Sequence, residues 1–206
     1  MRKGFWFLTA LVALAATCWG TTLVLQPDEA AGKDSEVDNA NPSTNWGTYT
    51  YITVNWSGSY TSRGLLEFDL SSINGATVNS ASLELYNWAN NPNRVYEIHR
   101  ITATWSESTV TWNNQPAFDA AVAGSTNVTG SGTFTFTITS LVQSWLNGTY
   151  TNYGMVLKAV TEPASPNPYF VSSSYATAAS RPKLTVDYTL TGVAPTSLGR
   201  VKAIYN

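Results

Sequence analysis

The sequence predicts an all-β protein, an antiparallel β-sandwich with one short helix. Three observations lead there. Apolar and polar residues alternate over several short stretches, turn-forming residues divide those stretches, and helical periodicity surfaces in one place only.

Taken in order, Thr21 to Gln26 opens the pattern as a strand. Leu66, Phe68 and Leu70 alternate with Leu65, Glu67 and Asp69, which gives a half-buried strand with one apolar face and one face of carboxylates. Leu83 and Leu85 point one way and leave Ser82, Glu84, Tyr86 and Trp88 on the other side. Phe134, Phe136 and Ile138 alternate with threonines, and Leu184, Val186 and Tyr188 alternate with Lys183, Thr185 and Asp187, so each stretch turns an apolar face inward. Leu141, Val142 and Trp145 recur at helical spacing within Ser140 to Leu146, and Asn147-Gly148 supplies the stop. From Trp105 to Pro116 the chain reads WSESTVTWNNQP: Thr109, Val110 and Thr111 favour extended backbone, and Asn113, Asn114 and Pro116 break it.

That last block resembles the DNRLRE family of extracellular β-sandwich modules, which is grouped with carbohydrate-binding modules and archaeal disaggregatase repeats. The likeness continues through TNWGTYTYITV (Thr44 to Val54), SRGLLEFDLSSINGATVNSASLELY (Ser62 to Tyr86), VYEIHRITATW (Val95 to Trp105), FTITSLVQSWLNGTYTNYGMVLKA (Phe136 to Ala159) and YATAASRPKLTVDY (Tyr175 to Tyr188). Where the family carries the segment that names it, this chain has Arg63, Gly64, Leu65, Leu66 and Glu67. The resemblance implies a jelly-roll sandwich over residues 21–190 and a carbohydrate-binding, non-catalytic role.

Both ends differ from this middle. Arg2 and Lys3 precede an apolar run from Phe5 to Ala16, the layout of a secretory signal peptide over residues 1–20 and too short to span a bilayer comfortably. Cleavage after Gly20 would start the mature chain at the first strand; an earlier cut would keep Cys18, which a lipoprotein would lipidate. Residues 191–206 read as a linker, Gly192 to Pro195, and a short basic amphipathic tail with Leu198, Val201, Ile204 and Tyr205. That tail reads either as a frayed end or as a sorting or attachment signal through which copies could assemble.

With one cysteine the protein forms no internal disulfide, so an ordinary hydrophobic core must hold it. Only 12% of residues are charged, the net charge is −2, and no Lys/Arg run follows the leader. Binding a phosphate backbone needs a clustered basic face, so nucleic acid is excluded as a partner.

Few residues offer catalysis. Glu67 and Asp69 share a strand face, and Glu84 would lie opposite them if the strands paired, but a glycosidase pair needs a pocket that perturbs one acid. His99, the one histidine, sits inside a strand and reads as structural; it cannot assemble a zinc site alone. Asp34, Glu36, Asp38, Asn39 and Asn41 read as one oxygen-rich loop, in which Asp34, Asp38 and Asn39 are candidate ligands for a structural calcium ion.

Polysaccharide binding rests on aromatics. Sugar C–H faces stack on Trp and Tyr rings, while hydroxyls need amides, carboxylates or Arg beside them. The chain holds eight Trp and eleven Tyr. Tyr86 and Trp88, running into Asn90 and Arg94, form one candidate face; Trp46, Tyr49, Trp56 and Tyr60 form a second around a loop. Trp105, Trp112 and Trp145 read as core. The sequence thus points to a secreted module, free or attached at the cell surface, that binds polysaccharide or cell-surface glycan. Its rival is a structural surface or appendage subunit joined through a sheet edge or the tail.

Overall fold

The computed structural model describes residues 20–54, 59–89, 93–162 and 168–190. Almost all of the leader, Cys18 included, and the tail from 191 onward lie outside the described residues. The strands are β1 (Thr21–Leu25), β2 (Lys33–Asp38), β3 (Tyr51–Thr53), β4 (Ser62–Glu67), β5 (Thr77–Asn87), β6 (Arg94–Ile101), β7 (Phe118–Val128), β8 (Gly132–Thr137), β9 (Met155–Ala159), β10 (Tyr169–Val171) and β11 (Lys183–Thr189), with one α-helix, α1 (Thr139–Leu146). The first sheet runs β1-β11-β5-β10-β3, and β8 pairs along the other edge of β5. The second runs β2-β4-β9-β6-β7. All pairings are antiparallel, and successive strands mostly cross from one sheet to the other, the habit of a jelly roll.

Period-2 alternation builds the core. Leu83, Leu85, Phe136, Phe170, Leu184 and Val186 from the first sheet meet Leu66, Ile98, Met155 and Leu157 from the second, all essentially solvent-free. Tyr96 crosses between the layers onto the edge of Phe170, with ring centroids 5.9 Å apart. Helix α1 plugs one end with Leu141, Val142, Trp145 and Leu146, and Gly148, at φ 75°, ends it.

Two sequence expectations need correction. β4 is not half-buried with an acidic outer face: Leu65 is fully buried in a second, smaller cluster with Val37, Ile101, Trp105, Val110 and Val156, roofed by the 102–117 loop. The block from Trp105 to Pro116 is this loop rather than a strand. The Ser106 carbonyl accepts the N–H groups of Thr109 (3.2 Å) and Val110 (2.8 Å), so turn hydrogen bonds override the β-propensity of Thr109 to Thr111. Trp105 and Trp145 are buried as expected, whereas Trp112 is only half-buried and lies over Arg63.

The turn into β9 depends on Gly154. Its φ is +83°, and a Cβ there would collide with the Leu66 carbonyl. Gly154→Ala is expected to cost roughly 2 kcal/mol or more in a urea unfolding curve. An unchanged midpoint would contradict this close approach.

Candidate functional site

β2 ends the second sheet and β3 ends the first, and no backbone ladder joins them. Side chains do. Alternation along β2 aims Asp34, Glu36 and Asp38 toward the edge of the first sheet. Glu36 Oε2 accepts the Thr53 N–H at 2.8 Å, and Ser62 Oγ donates to the Thr53 carbonyl at 2.8 Å, which satisfies the outer side of β3. Asp34 Oδ2 accepts the Ser173 N–H just past β10 at 2.8 Å. Asp38 accepts from Asn41 through its backbone N–H (2.7 Å) and Nδ2 (3.2 Å), and from Trp46 Nε1 at 2.7 Å.

This stitching fixes a group of rings on the outer face of β3 and β10. Tyr51 is the hub: its ring centroid lies 6.1 Å from Tyr49, 6.3 Å from Trp88, 6.1 Å from Tyr169 and 5.7 Å from Tyr175. Trp46 joins through Tyr49 at 5.5 Å. Trp88 is 60% exposed and Tyr49 44%, so the group presents ring surface to solvent. Beside it opens a recess of about 180 Å³, with Glu36, Asp38, Asn41 and Thr53 as polar lining and Trp46, Tyr49 and Tyr169 as rings.

The loop bearing Trp46 leans on the 102–117 loop. Asn45 Nδ2 donates to the carbonyls of Glu107 and Val110, both at 2.7 Å, and the Asn113 N–H donates to the Pro42 carbonyl at 3.0 Å. Gly47 permits the contact, because a Cβ there would strike the Glu107 carbonyl.

The two aromatic groups read separately from the sequence meet here: Trp88 from one and Trp46 and Tyr49 from the other are linked through Tyr51. Tyr86 is half-buried on the outer side of β5, opposite Thr133 of β8. Tyr60 is exposed ahead of β4. Arg94 begins β6, on the other sheet from Tyr86, and Trp88 directly follows the end of Tyr86's strand. Trp56 and Asn90 lie outside the described residues. The sequence reading missed Tyr51, Tyr169 and Tyr175. Their strands, where they have one, span three residues and show no period by themselves.

The acidic residues also stand otherwise than expected. Lys33 to Asp38 form an edge strand, not a loop; Asp34 Oδ2, Glu36 Oε2 and both Asp38 oxygens accept the protein's own donors, Asp34 Oδ1 is buried with no hydrogen-bond partner among the described residues, and Asn39 Oδ1 accepts the Thr61 N–H at 2.9 Å. Among the described residues no group of three or more His, Cys, Asp or Glu is arranged to hold a metal ion. Glu67 pairs with Lys33 at 2.6 Å, and Asp69 accepts the Ser71 N–H, which lowers its pKa. Glu84 is on the first sheet, so it does not oppose them. His99 is buried in β6, its Nδ1 on the Asp119 carbonyl (3.0 Å) and its Nε2 near Glu97 (3.3 Å).

Residues 27–188 match the family model for Carbohydrate-binding module family 96. The chain belongs to this family. Carbohydrate-binding modules are in general non-catalytic domains, and the match spans every element that builds the ring group and its recess. A comparison with curated proteins finds no match. No helix among the described residues of this family 96 module is long and apolar enough to cross a membrane.

The stitching carboxylates of the module are costly to bury. Desolvation lifts Glu36 from 4.5 to about 7, aided by the charge of Asp38 and opposed by the Thr53 N–H. It lifts Asp34 from 3.8 to about 6 against the Ser173 N–H. Between its unfolded and folded values each acid keeps in the native state a proton that the unfolded chain has lost. Stability therefore falls as pH rises from about 4 through about 7 and then levels off. Glu36→Gln keeps an acceptor for Thr53 and removes its share of that slope, on the order of 3 kcal/mol. Thermal melts of both proteins between pH 4.5 and 8 check this; identical slopes would contradict it.

Proposed function

We propose that this module binds polysaccharide at or outside the cell surface, with sugar rings lying on the Tyr51–Trp88 face and one residue of the glycan entering the neighbouring recess. The observation that carries the reading is the group of six touching rings at one edge, beside a recess that offers carboxylates, an amide and a hydroxyl. Rings supply stacking area at little entropic cost, and the polar lining supplies partners for hydroxyls. The leader-like residues 1–20 support an extracellular setting, and the sequence likeness supports kinship with the DNRLRE modules.

Trp88 tests this reading. It is largely exposed, so Trp88→Ala is expected to leave the melting temperature nearly unchanged while weakening polysaccharide affinity at least ~10-fold, as loss of a stacking anchor does. Affinity electrophoresis across neutral and charged polysaccharides reads both retention and its loss. Unaltered retention of the variant would move the site elsewhere, and no retention of the intact module on any polysaccharide would end the reading. Calcium or EDTA in the same gels tests the ion suggested by the Asp34 to Asn41 composition.

A further inference from the structure

A sandwich of two open sheets leaves strand edges exposed unless something closes or guards them, and here each can be traced. At one flank β7 and β8 close on each other: Thr126 Oγ1 donates to the Thr135 carbonyl, and a Cβ on Gly124 would strike the Thr137 carbonyl. The start of β7, beyond β8, carries Asp119 and lies where the register against β6 shifts twice. At the other flank β2 and β3 are joined by Glu36 and Ser62. β1 is left over. Among the described residues it pairs with β11 alone, and no strand lies along its other side.

Nothing in the composition of β1 guards that side. β2, also a sheet end, is charged, KDSEVD, whereas β1 reads TTLVL, with no charge, no proline and an unbroken register on β11. Lysine, proline and bulges are what edge strands use against pairing. The inward residues of β1 are also incomplete as core. Leu23 and Leu25 are only half-buried, while Leu184 and Val186 on the neighbouring β11 are solvent-free, and Val24 on the outer face is 54% exposed. Beside Val24 and Leu25 opens a cleft of about 450 Å³ with Pro27 and Phe68 in its walls.

A second copy of the chain fits this side. Turned antiparallel about Leu23, the same five residues face one another: Thr21 of one copy opposite Leu25 of the other, Thr22 opposite Val24, and Leu23 opposite itself. No charge is buried, and Leu23 and Leu25 gain cover. The other sheet ends are closed or guarded, so pairing between copies joins β1 to β1.

We propose that the module forms a two-fold dimer through the free side of β1. Opposed residues of a β-ladder point to the same side of the sheet, so the two outer faces become one surface and both Tyr51–Trp88 groups look the same way. Two linked sites hold a repeating polymer with more avidity than one. The pairing stands without the carbohydrate reading; the bivalent grip rests on it.

Sedimentation velocity of the intact module from about 1 to about 500 μM tests the pairing, with reductant present so that Cys18 cannot cross-link copies. The mass is expected to double across that range. Val24→Lys puts a charge on an exposed position of the edge and should stay monomeric with an unchanged melting temperature, whereas Val24→Thr, uncharged and β-branched, should dimerise as the parent does. A monomer at every concentration, or a dimer that Val24→Lys leaves intact, overturns the inference. So does a dimer lost on Ile204→Asp, which would put the contact in the tail. Affinity electrophoresis at a concentration where the parent is dimeric reads the grip: Val24→Lys, with its rings intact, should be held at least ~10-fold less tightly on polysaccharide. Equal retention of the two overturns the bivalent grip, and retention of neither overturns the carbohydrate reading while the sedimentation result decides the pairing.

Discussion

Glu36, buried against the outer edge of β3, holds together two sheets that no backbone ladder connects on that side. β3 is three residues long, too short to be stable as an edge unless its outward N–H and carbonyl are met, and Glu36 and Ser62 meet them. Asp34 does the same for Ser173. Burying carboxyl groups without a countercharge is unfavourable, which is why burial drives both pKa values upward. The compensating gain is positional. With β3 and β10 pinned, Tyr51 and Tyr169 stand on one outward surface, and Asp38 at the end of the same acidic row orients the Trp46 indole.

The 102–117 loop supports this corner from behind. Its Trp105 seals the smaller core cluster and donates Nε1 to the Tyr153 carbonyl at 2.9 Å, while its backbone receives Asn45 and makes room only for a glycine at position 47. Its tryptophans therefore serve packing, and the exposed ring surface comes from other segments. Rigid sheets with a buttressed loop suit a binding face whose rings must be in place before the ligand arrives.

Much of the sandwich was legible because long strands declare themselves: Leu83 and Leu85, Phe134 to Ile138, and Leu184 to Tyr188 all face as their alternation predicts. Helix α1 was legible from Leu141, Val142, Trp145 and the Asn147-Gly148 stop. β2 was not. Its sequence, KDSEVD, has the composition of a loop, and it is a strand because it pairs with β4 along its whole length while donors from Thr53, Ser173 and Trp46 meet its buried acids. The ring group was half legible: Trp88, Trp46 and Tyr49 could be singled out as aromatics beside amides, but only the non-local pairing of Tyr169 with Thr53 and of Val171 with Tyr51 brings them around one hub. Composition alone could not say that Arg94 belongs to the opposite sheet.

On this reading the module meets its glycan through the rings of the β3–β10 edge and not through the tryptophans of the 102–117 loop and the core. Indole N–H resonances in a two-dimensional NMR titration address this most directly, using an oligosaccharide that the intact module retains. The signals of Trp46 and Trp88 should move together with saturable shifts, while those of Trp105, Trp112 and Trp145 stay in place. Shifts confined to Trp105, Trp112 or Trp145, with Trp46 and Trp88 unmoved, would contradict the account.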